Sequence, residues 1–388
     1  MTSLSRPVAI VGVGYSELSR RSRPDPRALT LTACRTALAD AGLAPRDVDA
    51  IVQFTHASDS TEAPITAYVQ RALGIDNLSF FADLARTGPS GVGPPMTAVM
   101  AVASGVCETA LAYRTLPQAE GNNGGLRESP AEIGGPTQFT AVYGHAAGIL
   151  ANYALKKRRR MHEFGHTAQE YGYIAINARR WAALNERAVM RQPLTMDDYL
   201  SARTIVDPLV LLDCDYPVNG SCAVLVTTAE RARDLRHRPV LVDAMSWGTG
   251  RGSDFVFGAD LLYGGSIPCA ENLWRQSRFT PADLDVLGLY DGFTHLPISW
   301  IEALGICGFG EFADWVDGGR VIGPGGTLPL NTSGGMLAEG RIQGIGHVAE
   351  TTEQLRGSCG ARQVSGASVA VVAGGGSNDS GAMTLYVE

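Results

Sequence analysis

The residues with the clearest chemical potential lie in one short segment, residues 290–295 (YDGFTH). They follow an apolar run typical of a strand, so Tyr290, Asp291 and His295 would crowd one strand end. A phenol, a carboxylate and an imidazole at such a place could exchange a proton with a substrate. The structural alternatives are a packed aromatic residue for Tyr290 and a cap of the following helix for Asp291.

A second segment, residues 331–347, holds a positive charge among glycines. Arg341 directly follows a glycine, an unusual place for a merely solvated charge, and it could bind an oxygen anion. Gly335 opens a helix and would permit close approach of the backbone to a ligand. His347 is either a reserve acid or base, like His295, or a hydrogen-bonded helix histidine.

Two further glycine clusters lie at expected strand ends. Residues 86–91 (RTGPSG) indicate either a tight turn capped by Ser90 or a turn that presents a nucleophile at a helix N-terminus. Residues 374–377 (GGGS) are a weak signal alone. The VGVG of residues 11–14 lacks the third glycine of a dinucleotide-binding fingerprint, so we expect no such site.

Positive charge is concentrated in one run, residues 156–160 (KKRRR). Such a run is usually the solvated face of a helix. The functional alternative is a phosphate-binding surface, because arginine and lysine bind phosphate well. On that alternative, Arg158 and Arg160 are the candidates for contacting a phosphate-bearing cofactor.

The composition excludes several classes of protein. The 388 residues are 45% hydrophobic and 18% charged, which rules out a disordered chain. The net charge of −7 argues against nucleic acid as a partner, and no apolar run approaches the ~18 residues of a membrane span. The seven cysteines form no CxxC pair, so we expect no metal site and no disulfide framework. With an N-terminus unlike a signal peptide, these thiols indicate a cytoplasmic location.

Strands and helices must alternate along the chain to position these segments. The hydrophobic pattern predicts seven such elements, at residues 8–13, 27–41, 48–54, 65–73, 78–81, 94–104 and 107–113. Their short links imply an α/β fold with a mostly parallel sheet. Residues 115–205 break the rhythm with a loop at 117–136 and two helices at 147–164 and 167–183. We interpret them as an insertion on top of the sheet, where binding loops lie.

One motif occurs twice and suggests an internal duplication. Residues 44–49 (APRDVD) and 280–285 (TPADLD) each place a proline and an acidic turn before a strand. Together with the chain length, this repeat favours a duplicated α/β fold over two unrelated domains. The expected halves are residues 1–235 and 236–388.

The segments described above, taken in order, resemble the thiolase superfamily over nearly the whole chain. Residues 159–165 (RRMHEFG) are similar to a stretch of the sterol-carrier-protein-type thiolases, as are residues 207–209, 213–214 and 354–357. The resemblance implies a duplicated thiolase fold, with two βαβαβαββ-type halves whose sheets sandwich central helices. The loop and helix insertion would belong to the first half.

The positions that are catalytic in thiolases are changed in this chain. Gly88 stands where the nucleophilic cysteine is expected, and Val372 and Ala373 stand where the acid–base cysteine is expected. Arg341 replaces the histidine of a Gly-His-Pro loop, and Tyr290 replaces the histidine or asparagine of a fourth loop. These losses resemble the aldolases that cleave the side chains of steroid-CoA intermediates, although those have a tyrosine near the position of Arg341.

This resemblance implies a carbon–carbon lyase that cleaves a β-hydroxyacyl-CoA by a retro-aldol reaction without a covalent cysteine intermediate. A steroid side-chain CoA ester is one candidate substrate, coenzyme A is part of that substrate, and no covalently bound cofactor is expected. Tyr290 would take the hydroxyl proton if Arg341 lowers its pKa, or Arg341 would bind the enolate, and Asp291 would orient one of them. The alternatives are a transferase with an atypical nucleophile and a non-catalytic lipid- or CoA-binding subunit.

The resemblance also implies protein partners. Thiolases usually dimerise through the sheet of the first half, which predicts a homodimer. The steroid aldolases act with a zinc-ribbon and OB-fold protein, so we expect a hetero-oligomer in which any zinc belongs to the partner. Residues 115–145 and 250–275 are expected to shape the acyl pocket.

Overall fold

A computed structural model of the chain describes residues 4–20, 24–55, 65–85, 89–117, 149–250, 260–376 and 379–388. Gly88, most of the loop expected at 117–136 and parts of both segments expected to shape the acyl pocket lie outside the described residues. None of the helices within the described ranges is long and apolar enough to cross a lipid bilayer.

The described residues form alternating strands and helices, as the hydrophobic pattern predicts. The strands are β1 (Val8–Tyr15), β2 (Ala50–Thr55), β3 (Phe80–Ala85), β4 (Thr109–Pro117), β5 (Thr204–Val206), β6 (Leu209–Val210), β7 (Asn219–Thr228), β8 (Val240–Thr249), β9 (Val286–Leu289), β10 (Val369–Gly375) and β11 (Asp379–Tyr386). The helices are α1 (Pro26–Ala41), α2 (Thr66–Leu73), α3 (Gly93–Ala103), α4 (Ile149–Phe164), α5 (Ala168–Ala182), α6 (Met196–Leu200), α7 (Ala229–Ala232), α8 (Ser266–Gln276), α9 (His295–Ala303), α10 (Phe312–Trp315), α11 (Gly335–Ala338) and α12 (Ile345–Arg356).

Nine of these strands form one sheet in the order β3-β2-β4-β7-β1-β8-β11-β10-β9. Strand β2 is parallel to β3 and β4, and β9 is parallel to β10, whereas the other pairs are antiparallel. The expectation of a mostly parallel sheet was therefore wrong. Strand β7 pairs antiparallel with β4, and β11 pairs antiparallel with β10, so the sheet is mixed.

The strand order repeats within this sheet. Reading inward, β2-β4-β7-β1 has the same directions as β9-β10-β11-β8, and the two sets meet where Ala9 pairs with Leu241 and Ile10 with Val240. Each set begins with parallel strands and ends with an antiparallel pair. This internal repeat agrees with the α/β duplication that the sequence predicts.

The repeated sequence motif performs the same local task in both halves. The backbone N–H groups of Ala44 and Thr280 each donate to a carboxylate three residues later at 2.8 Å. Asp49 then accepts from the Thr109 N–H at 2.8 Å, which ties the start of β2 to the start of β4. Asp285 accepts from the Val369 N–H at 3.0 Å and ties β9 to β10 in the same way.

Two central helices, α3 and α12, are covered by both sets of strands. Val99 of α3 and Val348 of α12 are fully buried in one apolar cluster with Ile10, Val224 and Val372. A helix that is apolar on nearly all sides, as α3 is, must be buried. The arrangement gives the layered core that the resemblance implies, with the site residues on loops at its edge.

The inserted helices pack against the second half of the chain. Asn177 of α5 donates to the Leu330 carbonyl at 3.0 Å, and Trp181 donates to the Ile322 carbonyl at 3.2 Å. Asn185, just after α5, donates to the Ser333 carbonyl at 2.9 Å. These contacts hold the backbone that leads into Gly335 and so help to position the site.

Candidate active site

Loops that are far apart in the sequence meet at one edge of the sheet. The Gly91 N–H donates to the Gln343 carbonyl at 2.6 Å, which joins the turn before α3 to the loop before α12. A Cβ atom on Gly91 would lie 2.6 Å from that same oxygen, and a Cβ on Gly374 would lie 2.3 Å from the Pro89 carbonyl oxygen. No side chain fits at either position, so these glycines are required for the loops to meet.

The turn before α3 is held in an uncommon conformation. Ser90 has φ +55° and Gln343, on the facing loop, has φ +51°, a left-handed region that non-glycine residues rarely adopt. Such residues cluster at functional sites because the surrounding structure must hold them in place. The Ser90 side chain is hydrogen-bonded with Tyr290. The segment that the sequence interprets as a nucleophile turn therefore contacts the tyrosine loop.

Tyr290 lies immediately after β9, where its backbone N–H donates to the Ala373 carbonyl at 3.0 Å. Its pKa is raised from its usual value, mainly by burial and further by Tyr153 and Asp215, whereas Ser90 and Arg341 act in the lowering direction. Of the two roles considered for Arg341, the one in which it lowers the pKa of Tyr290 enough to make a base does not agree with this net shift. Desolvation outweighs the guanidinium, so the phenol stays protonated near neutral pH and can donate a hydrogen bond.

Arg341 reaches a carboxylate that the sequence did not single out. Its Nη1 lies 3.5 Å from Asp215 Oδ1, and the two side chains are 13% and 12% exposed. The Arg341 N–H donates to the Tyr216 carbonyl at 2.8 Å, and the Asp215 N–H donates to the Gly292 carbonyl at 3.1 Å. Arg341, Asp215 and the loop of Tyr290 therefore form one group, which we call the Arg341 centre.

The environment of Asp215 shifts its proton affinity. Burial raises the pKa of this carboxyl to about 6, the negative charge of Asp291 adds to the rise, and Arg341 opposes it. The sequence offered only a faint signal for Asp215, which follows the family-like pair at 213–214. Nothing in that spacing indicates that Arg341, 126 residues later, would face it.

Asp291 and His347 form a buried pair beside the Arg341 centre. His347 Nε2 lies 3.0 Å from Asp291 Oδ1, which also accepts from the Met336 N–H at 3.0 Å. Asp291 thus accepts a hydrogen bond from the first turn of α11. It does not cap α9, the helix that follows it in the sequence. Its other oxygen, Oδ2, has no hydrogen-bond partner among the residues that the structure describes, and it lies 2.0 Å from where a Cβ of Gly335 would be. In this structure Gly335 makes room for Asp291.

A small cleft lies along the glycine-rich loop beside this pair. It has an empty volume of about 170 Å³ and is lined by Gly335, Met336, Glu339, Gly340, Ile342, Gly344, Gly346 and His347. Glu339 is buried, and desolvation raises the pKa of its carboxyl although Arg187 opposes the rise. The predicted residues Gly335 and His347 therefore line one cleft, whereas the Arg341 side chain lies against Asp215.

The basic run is not the solvated face that the sequence suggested. Lys157 forms an ion pair with Asp213 at 2.6 Å, and both side chains are almost fully buried. Arg160 is also buried, and both of its terminal nitrogens lie 2.8 Å from the Glu302 carboxylate. Its pairing inside the core weighs against a direct contact with a phosphate. Arg158 is half exposed and forms an ion pair with Asp207.

His295 belongs to an aromatic cluster rather than to the Arg341 centre. Its ring lies 5.6 Å from that of Tyr153 and 6.0 Å from that of Phe293. Burial and the nearby charges of the basic run lower its pKa well below the usual value. Tyr290 packs at the edge of this same apolar cluster. The ring contacts of His295 are therefore with this aromatic cluster.

None of the seven cysteines is placed as an activated nucleophile. Burial raises the pKa of Cys107, Cys214, Cys269 and Cys307 to about 12 and that of the other three thiols as well. Cys214 comes nearest to the site, since its backbone pairs with Phe293. A protonated thiol is a poor nucleophile, so the state of these cysteines favours a reaction without a covalent thioester intermediate.

Comparison with known proteins places this fold and site in a family. A family model described as thiolase C-terminal domain-like matches residues 269–387. The chain is 36% identical over 365 residues to the 17-hydroxy-3-oxo-4-pregnene-20-carboxyl-CoA lyase of Mycobacterium tuberculosis. The aligned region covers 92% of this chain and 93% of the relative. It is also 36% identical over 396 residues to the steroid side-chain-cleaving aldolase of Thermomonospora curvata, with 98% of each chain covered.

A solved structure supports the same conclusion. The Ltp2-ChsH2(DUF35) aldolase superposes with a TM-score of 0.88 and 32% identity, over 99% of this chain and 98% of that one. The mixed α/β fold and the family that the sequence resembles are thereby confirmed. The chain belongs to the thiolase superfamily, in the sterol-carrier-protein-type branch that includes the steroid side-chain-cleaving aldolases.

Proposed function

We propose that the chain is a thiolase-like acyl-CoA aldolase, a carbon–carbon lyase that cleaves a β-hydroxyacyl-CoA thioester by a retro-aldol reaction. The observation that carries the proposal is the Arg341 centre, where a guanidinium, a phenol and a carboxyl group meet without an activated thiol. The names of two relatives at 36% identity point to the same reaction class.

The reaction needs a base and an oxyanion site. The base removes the proton of the β-hydroxyl, the O–H electrons form a carbonyl, and the Cα–Cβ bonding pair becomes an enolate on the thioester side. A proton then returns to Cα, so the products are a carbonyl compound and a shorter acyl-CoA. We assign Tyr290, which stays protonated, and Arg341 as donors to the thioester oxygen as it becomes negative.

The proposed substrate class follows from a relative. The mycobacterial lyase is named for a 17-hydroxy-3-oxo-4-pregnene-20-carboxyl-CoA, in which the hydroxyl lies on the carbon β to the thioester carbonyl. We infer that this chain also takes a bulky β-hydroxyacyl-CoA with a steroid-like acyl group. Arg158, which is half exposed, remains our candidate for the CoA phosphates, ahead of Gly335 and the ion-paired Arg160.

We further infer two protein partners and a cytoplasmic location. Strand β3 is an edge of the nine-stranded sheet, and Phe81 on it is 65% exposed, which supports pairing with a second copy in a homodimer. The related solved structure is that of an aldolase named with a second component, ChsH2(DUF35). We propose a hetero-oligomer with a protein of that kind, in which a zinc ribbon and OB-fold would be supplied by the partner.

The test is a cleavage assay on purified protein, alone and with a co-expressed DUF35-type partner. Incubation with 17-hydroxy-3-oxo-4-pregnene-20-carboxyl-CoA should yield a steroid ketone and propionyl-CoA, both quantified by mass spectrometry. A protein mass increased by an acyl group would instead indicate a transferase. CoA-ester binding without turnover in the presence of the partner would indicate a non-catalytic subunit.

A further inference from the structure

Tyr290, Asp291 and His347 are each poorly suited to act as the base of the reaction. The pKa of Tyr290 is raised, so its phenolate is scarce at neutral pH. Asp291 uses Oδ1 for His347 and for the Met336 N–H, and its Oδ2 is enclosed against Gly335. The side chain of His347 is only 3% exposed and is bound to Asp291. His295 lies in the aromatic cluster with Tyr153 and Phe293, so a further group is a candidate to receive the hydroxyl proton.

Asp215 has the geometry that the others lack. Its side chain keeps 12% exposure, and among the described residues its side-chain ion pair is the 3.5 Å contact with Arg341, long for a strong hydrogen bond. The carboxylate therefore has capacity for a substrate hydroxyl. Its backbone is fixed to both site loops, because its N–H donates to Gly292 and the neighbouring Pro217 pairs with Arg341.

We propose that Asp215 is a catalytic residue, the base that removes the proton of the substrate β-hydroxyl. This deepens the proposed function and rests on it. The hydroxyl proton passes to a carboxylate oxygen of Asp215, the carbonyl forms on Cβ, and the Cα–Cβ electron pair moves to the enolate held by Arg341 and Tyr290. The protonated Asp215 can return a proton to Cα, so the step consumes no other reactant.

The charges around Asp215 agree with this role. Arg341 is the positive group that faces it, and Asp291, Tyr290 and Cys214 are the acidic groups nearby. Burial and the carboxylate of Asp291 raise its pKa to about 6. A base with that pKa is deprotonated at neutral pH, yet it binds a proton far more readily than an ordinary carboxylate. Activity should therefore rise with pH through about 6.

The test compares Asp215→Asn with Asp234→Asn, a matched change at an exposed carboxylate that is not part of the Arg341 centre. Cleavage of the same steroid-CoA ester is measured from pH 5 to pH 8 with the partner present. For Asp215→Asn we expect kcat to fall about 100- to 10,000-fold and the rise through pH 6 to disappear. The Asp234→Asn enzyme should keep the wild-type rate and profile. An Asp215→Asn enzyme within threefold of wild type would overturn the assignment.

A second variant covers the case in which Asp215→Asn does not fold. Arg341→Met removes the positive charge that lowers the pKa of Asp215, so the rising limb of kcat/KM should move to higher pH. An unmoved limb in that variant would overturn the role of Asp215. If the wild-type enzyme cleaves no β-hydroxyacyl-CoA, the proposed function itself fails, whatever the variants do.

Discussion

Replacing Arg160 by methionine is expected to destabilise the fold rather than to weaken CoA binding. Both terminal nitrogens of Arg160 lie 2.8 Å from the Glu302 carboxylate, and Nη2 lies 3.2 Å from the Ser299 hydroxyl. The two charged side chains are 1% and 0% exposed. Met keeps an unbranched apolar side chain like the stem of Arg but has no charge, so the substitution removes the counter-charge and leaves Glu302 buried.

The size of the effect follows from that burial. Removing one partner of a buried ion pair costs about 3–5 kcal/mol of unfolding free energy, because the remaining charge is neither solvated nor paired. The Tyr263 hydroxyl still donates to Glu302 at 2.6 Å, so we expect the lower end, about 3 kcal/mol. Adding Glu302→Gln removes the orphaned charge but keeps a hydrogen-bond acceptor. The double variant should then recover at least about 1 kcal/mol.

Urea unfolding followed by tryptophan fluorescence measures these differences, with Arg158→Met as the matched control. Arg158 lies two positions away on the same helix, but it is 51% exposed, and its loss should change the unfolding free energy by less than about 0.5 kcal/mol. The reasoning is refuted if Arg160→Met unfolds like the wild type while the KM for the CoA ester rises several-fold. That result would make Arg160 a CoA ligand.

Three further substitutions test the site and the assembly. Tyr290→Phe removes a proposed donor to the enolate oxygen and should lower kcat about 100- to 1,000-fold in the cleavage assay, whereas unchanged cleavage would remove Tyr290 from the mechanism. Cys214→Ser should change kcat less than about threefold, because burial holds the pKa of this thiol at about 12; a total loss of activity would favour a covalent intermediate. Phe81→Glu places a charge on the exposed edge strand β3 and should convert a dimer to monomers in analytical ultracentrifugation, and a dimer that persists would place the interface elsewhere.

The elements that depend on local patterns could be predicted from the sequence. Helix α1 ends where glycine follows the apolar pattern, at Gly42, and the repeated proline–acid motif marks the starts of β2 and β9. Strand ends were less accurate: β3 begins at Phe80 and runs to Ala85, beyond the expected 78–81. Its end is set by pairing with β2, which a local apolar run does not record.

The partners of charged residues could not be predicted, since they depend on distant chain segments. The run at residues 156–160 looks like a solvated face, but Glu302 lies 142 residues after Arg160 and completes a buried pair. Arg341 does act on Tyr290 in the lowering direction, as one hypothesis from the sequence required, but the sequence contains no measure of desolvation. Burial decides the direction of the Tyr290 pKa, and burial is a property of the packed fold.

The contacts among the glycine loops explain how this fold can host altered chemistry. The Gly91–Gln343 hydrogen bond and the close approach of Gly374 to Pro89 involve backbone atoms, so they do not depend on which reactive side chains the loops carry. A scaffold held by backbone contacts can lose a nucleophilic thiol without losing its shape. What must change together are the side chains that face the substrate. Tyr290, Arg341 and Asp215 are linked by charge, because Arg341 acts to lower the pKa of both Asp215 and Tyr290, and Asp215 acts to raise the pKa of Tyr290. A substitution at one of the three should therefore alter the pH profile as well as the rate, which separates this centre from residues that only shape the pocket.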